Sequence, residues 1–281
     1  MPILLALFSS LAYGAADFMG GLASRRTSTM PVVVFSQAAG LVLLLLALPL
    51  LGSAAPSAAD LAWGAAGGVA GGIGVGMLYH ALSIAAMSVV APVTAVTAIA
   101  VPVVAGLALG ERPGALAMVG VGLAAVAIAL ISREPAPDRP VLLGIRGPGV
   151  AMALGAGLAI GVFYVALERT SGDAGLWPLV AARTASVALL AGFGAGTRRA
   201  LRPERGAWAM IAGGGALDML ANVLYLLAVR QGMLSVVAPL SSLYPGATVL
   251  LAWIVLGERL HWFQWLGVAC AAVAVGLITA G

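Results

Sequence analysis

The pentapeptide Ser88-Val89-Val90-Ala91-Pro92 recurs unchanged as Ser235-Val236-Val237-Ala238-Pro239, an offset of 147 residues (239 − 92). At the same offset Leu109-Gly110-Glu111-Arg112 recurs as Leu256-Gly257-Glu258-Arg259, and Gly120-Val121 falls on Gly267-Val268. The register holds for Ala124 to Ala127 on Ala271 to Ala274, and for Leu130-Ile131 on Leu277-Ile278. It reaches back to the start without a gap, placing Ala6-Leu7 on Ala153-Leu154, Gly14 on Gly161 and Pro31 on Pro178. Alanine and valine coincidences are cheap in this chain; a second Gly-Glu-Arg among so few charges is not. The chain is therefore built twice from one plan.

Each copy carries five apolar runs. They are Ile3–Leu22, Pro31–Leu51, Leu61–Leu82, Val89–Leu109 and Ala115–Ile131, then Val150–Leu167, Trp177–Phe193, Trp208–Val229, Leu234–Leu256 and Phe263–Leu277. A helix of about 20 residues crosses a ~30 Å hydrocarbon core. Strands fit poorly, because alternation is missing and a barrel strand needs only about ten residues. The connections hold the Pro, Ser, Gly and charge that the runs lack, and none is long enough for a water-soluble domain. With 62% hydrophobic and 9% charged residues and a mean hydropathy of +1.09, a water-facing surface cannot be covered. Five spans is an odd number, so the second copy enters the membrane from the opposite side. The expected fold is an all-α integral membrane protein of ten transmembrane helices, arranged as two inverted five-helix repeats over residues 1–134 and 147–281 of a single membrane domain. Met1–Gly14 has the look of a signal-peptide core, but it lacks a basic leader and aligns with an internal helix; we expect it to be retained.

Two repeats of this length, an Ala-Pro in the fourth helix and a Gly-Glu-Arg closing it resemble the drug/metabolite transporter superfamily, specifically its EamA-type members. The resemblance covers nearly the whole chain. It implies ten helices around a central cavity and movement of metabolites, amino acids, sugars or drugs without ATP hydrolysis. Asp17, within Gly14-Ala15-Ala16-Asp17-Phe18, departs from the general pattern of that family's first helix.

Ionisable groups at the bilayer centre cost about 2.5–3.5 kcal/mol on insertion scales, so they should face protein or a wet cavity. The candidates are Asp17 in the first helix, His80 in the third, Arg183 in the seventh, and Asp218 with Asn222 in the eighth. The repeat register sets them opposite Tyr164, Leu227, Ser36, Gly71 and Val75. Scaffold residues repeat, whereas these do not, which favours a chemical role. Helix directions put Asp17 and His80 at similar depth, suited to exchanging a proton. They also put Arg183 near Asp218 and Asn222, suited to an anionic or zwitterionic group. The plainer reading is a static Arg183–Asp218 pair and a His80 that reaches the interface. Prolines 92, 102, 239 and 245 kink the fourth and ninth helices and free carbonyls there. Thr94 and Thr97, and Ser241, Ser242 and Tyr244, are then either cavity lining or partners of helix carbonyls. Tyr13, Tyr79, Tyr164 and Tyr225 add aromatic surface, Tyr13 among the candidate site residues, with interfacial belt or packing as the other reading.

Other features carry structure. Gly64, Gly68, Gly72 and Gly76 form a smooth ridge for close helix packing; no strand precedes them, so a nucleotide loop is excluded. Glu111-Arg112 and Glu258-Arg259 read as local ion pairs anchored at the headgroups. No Walker lysine, catalytic carboxylate pair or nucleophile elbow occurs. The two histidines lack ligand spacing, so no metal and no cofactor is expected. Cys270 is the one cysteine and excludes an intrachain disulfide. The net charge of +4 is all arginine, in short connections, which reads as topology and not as nucleic-acid binding. The expected partners are a small-molecule substrate and the bilayer of the plasma membrane, with a homodimer as an allowed assembly.

Three functional classes follow: a secondary transporter, with export of a metabolite or drug ahead of sugar import; a membrane-embedded enzyme using Asp17 and His80, which sit too deep for it; and a lipid-handling or structural protein, which needs no buried charges. Arginines on the face of the termini are 112, 169 and 230. The opposite face holds 25, 26, 133, 139, 146, 198, 199, 202, 205 and 259. The positive-inside rule therefore puts both termini outside, although ten-helix relatives are usually described with termini inside. In a bacterial inner membrane, a C-terminal alkaline phosphatase fusion should be active and a C-terminal green fluorescent protein fusion dark; the reverse pattern would overturn the arginine count.

Overall fold

Why the runs become helices is set by their solvent: in lipid, every backbone N–H and C=O must be satisfied within the segment. The computed structural model describes all residues except 25, 52–54, 85–86, 132–147, 197–201 and 258–259, and only the backbone of 29, 50–51, 79–80, 82–84, 87–92 and 205. Among the described residues there is no strand. The helices are α1 (Pro2–Ser24), α2 (Thr29–Leu51), α3 (Ala58–Ile84), α4 (Met87–Ala108), α5 (Ala115–Ile131), α6 (Pro148–Glu168), α7 (Trp177–Gly196), α8 (Trp208–Val229), α9 (Leu234–Ser241), α10 (Tyr244–Leu256) and α11 (Trp262–Ala280). Eight of the spans are long and apolar enough to cross a membrane, with α9 and α10 together counting as one; α5 and the Val93–Ala108 part of α4 are shorter apolar helices. Large apolar side chains line the outside, including Leu46, Val104, Ile254 and Trp262. That surface suits lipid and not water.

The ninth span is expected as one kinked helix and is instead broken. Pro245 has no N–H, and its ring excludes the carbonyl four residues earlier. The chain passes from α9 to α10 through turns, with Leu243 N–H donating to Leu240 O at 3.2 Å and Gly246 N–H to Leu243 O at 3.0 Å. The equivalent of Pro245 in α4 is Ala98, and α4 runs through unbroken.

Contacts across helix pairs fix the directions. Ser9 Oγ of α1 donates to Ala221 O of α8 at 2.8 Å, while Met19 lies against Gly213 and Gly214, so α1 and α8 are antiparallel. Likewise Gly67 of α3 meets Ala166 of α6 and Gly155 meets Met77, again antiparallel. Helix α6 then runs with α4, since Thr94 pairs with Ala153 and Val101 with Gly161. Helix α1 runs with α9 and α10, since Ala6 pairs with Ser241 and Gly14 with Thr248. Glu111, just past the end of α4, meets Leu234 at the start of α9, so α4 and α9 cross in opposite senses, and with them α6 and α1, the first helices of the repeats. The inverted arrangement follows from the packing alone.

The same contacts show a pseudo-two-fold relation. Ser9 on Ala221 has its image in Ala156 on Gly74; Thr94 on Ala153 has its image in Ser241 on Ala6; Gly120 on Ile278 has its image in Gly267 on Ile131. Each pair is related by the offset of 147. The repeats thus interlock: the first helix of each packs on the third helix of the other. Lipid tails are as apolar as leucine, so what holds this together is close packing over small residues and hydrogen bonds between helices.

The glycine ridge of α3 fits this account, except at its end. Gly64, Gly68 and Gly72 step along Pro178, Ala182 and Ser186 of α7, whereas nothing stands within 4 Å of a side chain at Gly76. The repeated Gly-Glu-Arg also acquires a reason. Gly110 has φ +95° and Gly257 φ +68°, a left-handed backbone that only glycine adopts without strain, and it turns the chain out of α4 and α10.

Where α1 begins and α11 ends, the face is stitched across the repeats. Ser57 and Asp60 form a capping box at the start of α3, and Asp60 Oδ1 also accepts Ser171 N–H at 2.7 Å from beyond α6. Arg230 donates to Gly175 O at 2.8 Å and to Thr170 Oγ1 at 3.3 Å. Half-burial draws its guanidinium pKa down, while Asp60 acts against that shift.

Overpacking at the α3–α7 contact is the sharpest test of this architecture. Gly68→Val sets a side chain on the Ala182 backbone and should lower the melting temperature in detergent by about 5 °C or more, or abolish folding. Gly76→Val should leave it within about 1 °C. Equal effects at both positions would contradict the packing.

Candidate functional site

A polar side chain in a membrane helix either satisfies a neighbour or faces water. The hydroxyls sort cleanly by that rule. Thr94 Oγ1 donates to Ala153 O at 3.2 Å and Ser241 Oγ to Ala6 O at 3.5 Å, both buried, in equivalent places of the two repeats. They join helices and do not line a cavity. Thr97 donates within its own helix, to Val93 O at 2.7 Å. Ser242, one residue beyond Ser241 in the break of the ninth span, is buried. It lies beside the Tyr164 phenol.

The charged candidates come together. Arg183 of α7 forms an ion pair with Asp218 of α8, through Nη2 and Oδ2, with Asp218 one-third exposed. Asn222, one turn further on, is buried and donates to Asp218 O at 2.7 Å, so its amide serves its own helix. Asp17 is exposed to solvent although it lies well inside α1, and it is close enough to Asp218 for the two carboxylates to repel one another. No other described residue pairs with it. Exposed in mid-helix and lying beside the Arg183–Asp218 pair, Asp17 shares its surroundings with other charged groups of the bundle. The side chain of His80 lies outside the described residues; its backbone is in the last turns of α3.

Aromatic groups complete the wall. Tyr13, one turn before Asp17, packs edge-on against Tyr244 at the start of α10, with ring centroids 6.1 Å apart. Its hydroxyl is buried without a partner. The rings of Tyr164 and Tyr225 pack at a tilt with centroids 4.6 Å apart, and Tyr225 donates to Tyr164 O at 3.2 Å. Tyr164 is the repeat equivalent of Asp17, and both carboxylates, Asp17 and Asp218, act on its phenol. Equivalent positions on two inverted bundles thus carry an acid and a phenol. From sequence Tyr164 reads only as aromatic surface; its pairing with Asp17 in the repeat is the signal that could place it here. The bond between Ser186 Oγ and Gln37 Oε1, joining α7 to α2 beside Arg183, has no signal in the sequence.

The bundle is packed tightly on the face where the chain begins. There α9 is almost wholly buried, and Tyr225, Leu226 and Leu167 are inaccessible. Toward the other face α10 has no buried residue, and Gly20 and Gly21 stand in open space.

Glu111 departs from the local ion pair expected of it. Its carboxylate accepts Leu234 N–H at 2.6 Å and Ser235 N–H at 2.8 Å, capping α9 in the other repeat. Glu258 and Arg259 lie outside the described residues.

A family model described as "EamA-like transporter family" matches residues 1–133 and 147–280. A solved structure described as "Crystal structure of protein" is similar to this chain with a TM-score of 0.80 at 15% sequence identity, covering 99% of this chain and 96% of that one. That likeness concerns the fold alone. No curated protein sequence matches.

The ion pair yields a double-mutant test. Asp218→Asn leaves Arg183 uncompensated and should destabilise the protein by about 1–3 kcal/mol, below the roughly 3–5 of a fully buried pair because water reaches Asp218. Adding Arg183→Gln should recover at least half of that loss. Additive losses in thermal unfolding would show that the two do not act as a pair.

Proposed function

The chain belongs to the EamA-like transporter family, matched over both halves, and on that premise we propose that it is a secondary transporter exporting a small metabolite, amino acid-like compound or drug across the cytoplasmic membrane. Membership makes it a multi-pass membrane transporter of the drug/metabolite type. The finer reading rests on one observation: Asp17 is exposed in mid-helix, unpaired among the described residues, beside an ion pair that is already complete.

The charge balance of that wall decides what it suits. Arg183 is neutralised by Asp218, so Asp17 is the surplus charge. A lone carboxylate deep in the membrane favours a proton or a cationic group close by. An amine on the solute meets Asp17, flanked by the rings of Tyr13 and Tyr244, which favour cations at their faces. A carboxylate on the same solute reaches the Arg183 side, and the hydroxyl of Tyr13, without a partner among the described residues, supplies a polar contact. Binding of the amine and of a proton at Asp17 then exclude one another, which couples solute movement to proton movement in the opposite sense. Alternating access follows from the two inverted bundles, each able to close one face. With the termini outside, the open face of the cavity is cytoplasmic, the loading state of an exporter.

Proteoliposomes with an imposed pH gradient test this. Amines and amino acids that raise the melting temperature of the purified protein serve as probes. Asp17→Asn should cut gradient-driven flux at least tenfold while retaining exchange of labelled for unlabelled probe. Wild-type, pH-dependent flux in both Asp17→Asn and Asp218→Asn would refute the assignment.

A further inference from the structure

The face that is closed has one contact whose geometry differs from all its other stitches. The Asp60–Ser171 bond joins α3 to the segment after α6, but α3 and α6 already pack along their length, from Gly67 on Ala166 to Met77 on Gly155. That bond adds to a fixed body. Glu111 joins the end of α4 in one repeat to the start of α9 in the other, and α9 is the helix that leads into the break of the ninth span. Two backbone donors at a helix N-terminus meet one carboxylate, which is the strongest single cap such a terminus can receive.

Space for this cap is specifically left open. A side chain on Gly106, one turn back in α4, would overlap Glu111 Oε2 and would stand 3.1 Å from Ser235 N. Gly110, with its left-handed backbone, turns the chain so that Glu111 points back toward α9, and Glu111 N–H donates to Gly106 O at 3.0 Å. Below the cap, α9 holds Leu234, Ser235, Val237 and Leu240 out of reach of solvent. Outside it lies a cavity of about 610 Å³ on the surface of that face, with Glu111, Gln231 and Val236 among its lining; Val237 borders it but is only 1% exposed. The carboxylate thus stands between an outer vestibule and the buried start of the ninth span.

From this geometry we infer that Glu111 is a positioning residue for transport: its cap on Leu234 and Ser235 is the latch that holds this face of the cavity shut. Releasing it frees the first turn of α9 to swing and opens the vestibule inward. The inference rests on the alternating-access reading, yet its test needs no flux. Labelling in detergent also makes membrane orientation irrelevant.

The experiment uses full-length protein with Cys270→Ser and a single reporter, Val237→Cys, treated with a small charged maleimide. Ala124→Cys, fully buried on α5, reports general loosening. Glu111→Ala should raise labelling of Val237→Cys at least tenfold and leave Ala124→Cys unchanged. Gly106→Ala, which displaces the carboxylate without removing its charge, should do the same, and Glu111→Gln should fall between. The latch is overturned if Val237→Cys labels at the original rate, or if both reporters speed up together. The two proposals fail separately: wild-type flux in Asp17→Asn sinks the proton coupling and leaves the latch standing, and unchanged labelling does the converse.

Discussion

Helices in a bilayer gain nothing by hiding apolar surface from one another, so this fold depends on how closely its backbones approach. Glycine and alanine make that approach, and the second partner in each close contact is supplied by the opposite repeat. Gly64, Gly68 and Gly72 lie on α7, Gly215 lies on α2, and Gly14 and Gly161 lie on the ninth and fourth spans. Neither repeat can bury these glycines by itself. The two therefore form one interlocked body, and the pseudo-two-fold relation is the consequence of each half completing the other.

Function begins where that relation is broken. The scaffold bonds repeat: Thr94 and Ser241 do the same work at mirrored positions. The cavity residues do not repeat, for Asp17 faces Tyr164, Asp218 stands where the first repeat has Gly71, and Pro245 breaks α9 from α10 where Ala98 lets α4 continue. A symmetric pocket would present equivalent groups on both sides. An asymmetric one can hold the two ends of a small polar solute differently, and can carry a surplus charge on one wall only.

Much of this is legible from residue order, for reasons that can be stated. Insertion cost makes each apolar run a span, and an odd number of spans per copy forces inversion. The asymmetric polar set is also readable, because a repeat supplies its own control: a residue needed only by the fold tends to recur. The cap that Glu111 makes is not readable behind its chain neighbour Arg112, nor is which of their two readings Thr94 and Ser241 take, because neighbours in sequence are visible and neighbours in space are not.

What the residue order decided alone is the inventory and its sense: ten membrane spans, two opposed bundles, and a few charges too costly to leave in lipid. What only the tertiary structure decided is who meets whom. Whether Arg183 is free or taken by Asp218, whether Glu111 pairs locally or caps α9, and which end of the cavity is shut all depend on contacts 35 to 124 residues apart. Hydropathy acts on each segment by itself and so is written along the chain. Hydrogen bonds and ion pairs act over about 3 Å between segments, and that distance exists only once the helices have packed.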